Sequence, residues 1–337
     1  MTFPYRRNVS FVRTFWHGAH VARWAAAAAM TAGHAAVTES RWERPPALEP
    51  SRRLFDSWKA PVPARTLMAN IHYVGTSGIA SYLITTPAGH FLLDPGFDDT
   101  VPQVLAGIEQ LGFRAEDIRY LLSSHAHVDH VGGLAQLQRL TGATVIASAA
   151  DARVLASGGA DDHSPFPKAL MRYPPVRVDR VLADGDRFTL GGVTVTAYLT
   201  PGHTAGATTW TTRVASGART LDVVFLSSLS IVQGTRLVGN RDHPGIRADY
   251  ERSFRILAEL PCDVFFGFHV SPVSLEVLMT RLSAIETGTV PNPFHDPESG
   301  WKAQLAAAER AYRTQLAAEQ KARGAGHCLQ PDESCPE

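Results

Sequence analysis

Short runs of apolar and β-branched residues at 70–74, 80–85 and 90–94 are separated by Gly75-Thr76-Ser77-Gly78 and Pro87-Ala88-Gly89, which predicts a meander of strands. The pattern then changes. Residues 101–111 predict a helix, 118–123 a buried strand, 133–141 a helix and 144–147 a strand, so β and α alternate. After a Gly-, Asp- and Pro-rich loop at 157–167, strands return at 187–190, 193–199, 208–214 and 221–227, followed by a helix at 248–260, a strand at 263–268 and a helix at 275–286. These form two successive blocks without a repeat of fixed period, and the expected fold is α/β: two mixed sheets facing each other with helices outside. Residues 301–323, rich in Ala, Gln, Glu, Lys and Arg, predict a helix by propensity, with Trp301, Leu305, Tyr312 and Leu316 on the face that packs against the domain.

The ends have a different character. Arg6, Arg7 and Arg13 precede an Ala-rich stretch, so residues 1–38 read as a signal peptide or a disordered extension. Residues 39–66 are rich in Arg, Pro and Trp without a clean period and read as an arm; 67–323 is the main domain, and 324–337 a loose tail. No apolar run is long enough to span a bilayer. Of the three cysteines, Cys262 stands alone, while Cys328 and Cys335 lie in the tail, paired or free, so no disulfide framework holds the fold.

With 337 residues, 45% hydrophobic and 19% charged, the chain has material for one large globular domain with extensions. Lys plus Arg (32) balances Asp plus Glu (32), which disfavours nucleic acid as a partner. A monomer acting on a small molecule is expected.

The chemistry concentrates in Ser124-His125-Ala126-His127-Val128-Asp129-His130, between the strand ending at Ser123 and Gly132-Gly133. A lone histidine there would read as a hydrogen-bonded core residue. Three imidazoles and a carboxylate at one strand end would compete for partners unless a cation held them. In an extended exit His125 and His127 project to one side, while Asp129 and His130 lie past the bend, so one loop feeds two metal positions. Zinc suits these donors; an iron or manganese pair would also accept them. His203, in Thr200-Pro201-Gly202-His203-Thr204-Ala205-Gly206, and His269, closing Phe265-Phe266-Gly267-Phe268-His269, sit at further strand ends as candidate ligands. Asp94, before Pro95-Gly96, is either a turn residue or an orienter of a metal-bound imidazole. His72, His90, His163, His243 and His295 read as surface or packing residues.

His-x-His-x-Asp-His, Leu93-Asp94-Pro95-Gly96 and the Pro-Gly-His-Thr turn resemble the metallo-β-lactamase superfamily. Tyr73-Val74-Gly75-Thr76, the runs at 200–210 and 236–245, Asp249-Tyr250-Glu251-Arg252-Ser253-Phe254 and Leu260-Pro261-Cys262-Asp263-Val264 resemble its third subclass of class B β-lactamases, over residues 67–323. The resemblance implies an αββα sandwich, export to the periplasm, with the cytoplasm as the alternative, and two Zn2+ per chain. His125, His127 and His203 would hold the first, and Asp129, His130 and His269 the second. Ser228 and Ser230 match positions that approach the substrate carboxylate, in a region where other subclasses place a cysteine ligand. Three positions depart from the family: Pro95, where a small residue is usual; Ser227, where Asp is common; and Cys262, whose disulfide partner is missing near 290–296.

The implied activity is zinc-dependent hydrolysis of the β-lactam amide bond by a metal-bridging hydroxide, conferring resistance to β-lactams including carbapenems. Two zincs about 3.5–4 Å apart would lower the pKa of the bridging water, with Asp129 orienting it. Another hydrolase of the superfamily, a lactonase or thioesterase, is the alternative. A non-catalytic metal-binding protein is the second, and a nuclease is disfavoured by the neutral charge balance.

Overall fold

A computed structural model describes residues 49–288 and 291–324; the signal-like segment at 1–38 and the tail cysteines Cys328 and Cys335 lie outside the described residues. Helix α1 (Glu49–Ser57) leads into strands β1 (Arg65–Met68), β2 (Ile71–Tyr73), β3 (Tyr82–Thr86) and β4 (Gly89–Leu93). These pair antiparallel, as the predicted meander requires. Helix α2 (Val101–Gln110), strand β5 (Ile118–Leu122), helices α3 (Val128–Val131) and α4 (Leu134–Thr141), strand β6 (Thr144–Ser148), helix α5 (Ala149–Ala156) and strand β7 (Arg180–Leu182) follow. Strands β4 to β7 run parallel, completing a seven-stranded mixed sheet in sequential order.

The second sheet contains β8 (Arg187–Leu190), β9 (Val193–Leu199), β10 (Thr208–Ser216), β11 (Arg219–Leu226) and β12 (Val264–Gly267), in the order β12-β11-β10-β9-β8. Helix α6 (Ile246–Glu259) makes the crossover that lets β12 pair parallel to β11, and α7 (Pro272–Thr287) and α8 (Trp301–Gly324) end the described chain.

The sheets meet through a core that includes Tyr73, Tyr82 and Phe91 from the first and Trp210, Phe225 and Phe266 from the second. A separate apolar layer joins the outer face of the first sheet to α1, α2 and α4 through Phe55, Val104 and Leu137. Val224 and Leu226 of the second sheet pack with Leu257 of α6 and Trp301 and Leu305 of α8. Burial on both faces explains why β3, β4 and β6 read as apolar runs, whereas β8 to β10 alternate buried with more exposed positions. The expected α/β sandwich is therefore the observed one.

Among the described residues, five α-helices and strands escape the sequence pattern, α1, β1, α3, α5 and β7, as do the short 3-10 turns. Residues 49–57, expected to be irregular, form a helix because Phe55 has a buried aromatic slot beside Phe97 and Trp58. His72 and His90 pack on Phe113 in the interior, as packing histidines. Cys262 is a free thiol. The segment expected to lack its disulfide partner is tied down by hydrogen bonds instead: Asn292 Nδ2 donates to the Asp263 carbonyl (2.8 Å) and His295 Nε2 to the Cys262 carbonyl (2.9 Å).

Candidate metal centre

The chain leaving β5 bends at His127, whose carbonyl accepts the N–H groups of both His130 and Val131 at 3.0 Å. That bend opens α3 and turns Asp129 and His130 away from His125 and His127. Three contacts from outside hold the loop: Trp210 Nε1 donates to the Ser123 carbonyl (2.9 Å), Thr208 N to the Ser124 carbonyl (2.7 Å) and Tyr173 OH to the Ala126 carbonyl (3.0 Å). Ser227, one of the departures from the family pattern, also donates its hydroxyl to the Ser124 carbonyl (3.0 Å).

His203 arrives on the turn after β9. Gly202 there has φ +142°, and a Cβ on it would lie 2.8 Å from the Tyr250 ring, so the turn needs glycine. His269 follows β12 and is fixed by a β-bridge with Ile79 and by the Trp58 ring, 5.0 Å away and edge-on.

These placements bring the six side chains into two groups of three, His125 with His127 and His203, and Asp129 with His130 and His269. Within each group the candidate ligand atoms all lie within 4.8 Å of one another. The rings of His125 and His130, one from each group, are 4.1 Å apart, so the groups adjoin.

Outer partners decide which nitrogen faces inward. Ser124 Oγ is 2.9 Å from His125 Nδ1, leaving His125 Nε2 buried without a hydrogen-bond partner. Asp94 Oδ2 lies 2.8 Å from His130 Nδ1, while His130 Nε2 faces His269 Nε2 (3.2 Å) and Asp129 Oδ2 (3.3 Å). His203 Nδ1 donates to the Ser230 carbonyl (2.7 Å), and its Nε2 faces His127 Nδ1 (3.2 Å). Asp94 is itself held by the N–H (2.6 Å) and hydroxyl (2.5 Å) of Ser124, at the left-handed φ of +47°. Asp94 thus stands where an orienter of His130 should be, and Ser124, to which the sequence pattern assigns no role, touches His125 and Asp94 alike.

Electrostatics favour lone pairs at the centre. Burial, reinforced by neighbouring imidazoles, pushes His125 far below its ordinary value, His127 and His269 down to about 4 and His203 to about 3. His130 is the exception: burial opposes its charge, but Asp129 and Asp94 outweigh burial and push it up to about 10. Burial likewise raises Asp129, but adjacent His130 prevails and holds the carboxyl well below the usual range. An orphaned buried nitrogen, three imidazoles in one group and two with a carboxylate in the other fit zinc donors.

The centre opens into a cleft of about 470 Å³ lined by His125, His130, His269, Ser228, Ser230 and Gln304. The Ser228 and Ser230 hydroxyls lie 2.9 Å apart on its wall.

Residues 74–269, more than half of the chain, match the model of the metallo-beta-lactamase superfamily. The chain belongs to that superfamily. Among solved structures it is similar to a metallo-beta-lactamase from Cronobacter sakazakii described by a HARLDQ motif: 38% identity, 79% of this chain, 99% of that one and a TM-score of 0.69. It is also similar to BJP-1, a subclass B3 metallo-beta-lactamase of Bradyrhizobium japonicum: 34% identity, 79% of this chain, 97% of that one and a TM-score of 0.68. A hydroxyacylglutathione hydrolase of Methylococcus capsulatus is 31% identical over 121 residues, 35% of this chain and 40% of that enzyme. The superfamily run here reads His125-Ala126-His127-Val128-Asp129-His130, with histidine where HARLDQ has arginine and glutamine.

Proposed function

We propose that this superfamily hydrolase is a β-lactamase, with His125, His127 and His203 holding one zinc and Asp129, His130 and His269 the other. The observation that carries this reading is the pairing of two complete three-ligand groups with a cleft whose wall bears two adjacent serine hydroxyls. When bound, a zinc pair supplies a nucleophile at neutral pH and electrophilic stabilisation of an acyl carbonyl. The chain does the rest. The Asp129 carboxylate orients the attacking water, and Ser228 and Ser230 donate hydrogen bonds to the carboxylate of the drug. Asp94, Ser124 and the Ser230 carbonyl keep the imidazoles aligned, so no reorganisation is needed during reaction.

The hydroxyacylglutathione hydrolase match supports a second reading, thioester hydrolysis at the same centre. It covers less than half of that enzyme, whereas the β-lactamases are matched over nearly their whole length, which favours the first.

Turnover of nitrocefin, a carbapenem, an acyl-glutathione thioester and an acyl-homoserine lactone, with and without chelator, separates these readings. Chelator-sensitive β-lactam hydrolysis is expected, and Asp129→Ala or His203→Ala should lower it about a hundredfold or more, with loss of zinc. Wild-type hydrolysis and zinc content in either variant would refute the assignment.

A further inference from the structure

The imidazoles of His125, His130 and His203 each have one nitrogen engaged by an outer partner: Ser124 Oγ, Asp94 Oδ2 and the Ser230 carbonyl. For His127, which shares the first group with His203, the inward nitrogen is Nδ1, 3.2 Å from His203 Nε2. Its outer nitrogen, Nε2, is buried and has no hydrogen-bond partner. Facing it at 3.6 Å is Asp162 Oδ2, also buried and without a partner. Asp162 comes from the polar loop at 157–167, yet only 4% of it is exposed.

The rest of Asp162 is anchored. Its Oδ1 accepts the Ser164 N–H at 2.6 Å, and its carbonyl accepts the Lys168 ammonium. Only Oδ2 is left over, and Asp162 borders a small cavity of about 60 Å³ together with His127, Asp151, His163, His203 and His243. A donor and an acceptor buried opposite one another, a few tenths of an ångström beyond hydrogen-bond length and each lacking any other partner, satisfy both valences by closing that gap.

We propose that Asp162 accepts a hydrogen bond from His127 Nε2–H and so positions His127, fixing the Nε2-protonated tautomer and directing the Nδ1 lone pair at the first metal. The loop at 157–167 is thereby fastened to the metal centre, and its integrity governs metal retention. This rests on the reading of His127 as a ligand. Asp162 touches neither substrate nor reacting atoms; it acts through the imidazole.

Long-range 1H–15N spectra of the metal-free protein, labelled at histidine, read the tautomer of His127, and competition with a chromophoric chelator reads zinc affinity. Wild type should show the proton on Nε2. Asp161→Asn at the exposed neighbouring residue should keep that tautomer and bind zinc within a few-fold of wild type. Asp162→Ala should give a mixture of tautomers and weaken zinc binding by the group of His125, His127 and His203 about 10–100-fold. An Nδ1–H tautomer in wild type, or an Asp162→Ala protein with unchanged tautomer and zinc affinity, would overturn the proposal. A wild-type protein that takes up no zinc but carries the Nε2 proton would refute the ligand reading and leave the hydrogen bond standing.

Discussion

Gly206 shows how closely the turn carrying His203 fits its surroundings. A Cβ there would fall 2.1 Å from Asp151 Oδ1 and 2.4 Å from Ser148 Oγ, both part of the buried support of the turn. Gly206→Ala must displace the turn, and a loss of about 1–3 kcal/mol in urea unfolding together with weaker zinc retention is expected. Asp151 adds a pH effect. Burial, with Asp162 and Asp94 nearby, pushes its carboxyl from 3.8 up to about 8. The folded chain then binds this proton more tightly than the unfolded chain, so stability falls as pH rises from about 4 to about 8 and levels off above. Asp151→Asn removes the titration, and its melting temperature relative to wild type should climb over that interval; a constant difference would exclude the effect. At this scale the sequence displays contiguous ligands well, because His125, His127, Asp129 and His130 share one strand exit. The roles of Ser124, Trp58 and Asp162 were not legible: a Ser, Trp or loop Asp acquires a role only when folding places it beside an imidazole.

Helix α8 contributes more than packing. Glu319 Oε2 accepts the N–H groups of Leu237 and Val238, both at 2.8 Å, and Gln315 Nε2 donates to the Thr235 carbonyl at 2.8 Å. The helix thus clasps the segment between β11 and α6, which carries Ser230. Glu319→Ala should cost about 1.5–3 kcal/mol and raise KM for β-lactams more than it lowers kcat; equal kinetics would show that the clasp does not reach the cleft. At the start of the helix, Trp301→Ala should cost about 3–5 kcal/mol in chemical unfolding, because the indole packs against Phe265 in the layer behind the second sheet. Long elements such as α6 and β9 follow the hydrophobic period closely. The missed ones are short or at an edge: β7 has two exposed residues in three, and α3 is a single turn that carries the candidate ligands Asp129 and His130.

Across the whole molecule, two sheets pack face to face so that their strand ends share one rim, and residues separated by more than a hundred positions meet there. The centre should therefore bind its two ions with different pH responses. Burial holds His125 well below its ordinary value and pushes His127 down to about 4 and His203 to about 3, so affinity of their group should change little between pH 6 and 8. His130 must lose a proton held up to about 10, so affinity of the second group should rise about tenfold per pH unit over the same range. Chelator competition at pH 6, 7 and 8 checks this, and parallel slopes for the two ions would contradict it. The most direct test of the central claim is elemental analysis of purified chain shown to be folded by circular dichroism. Two zinc ions per chain are expected; a folded chain carrying none after exposure to excess zinc would contradict it.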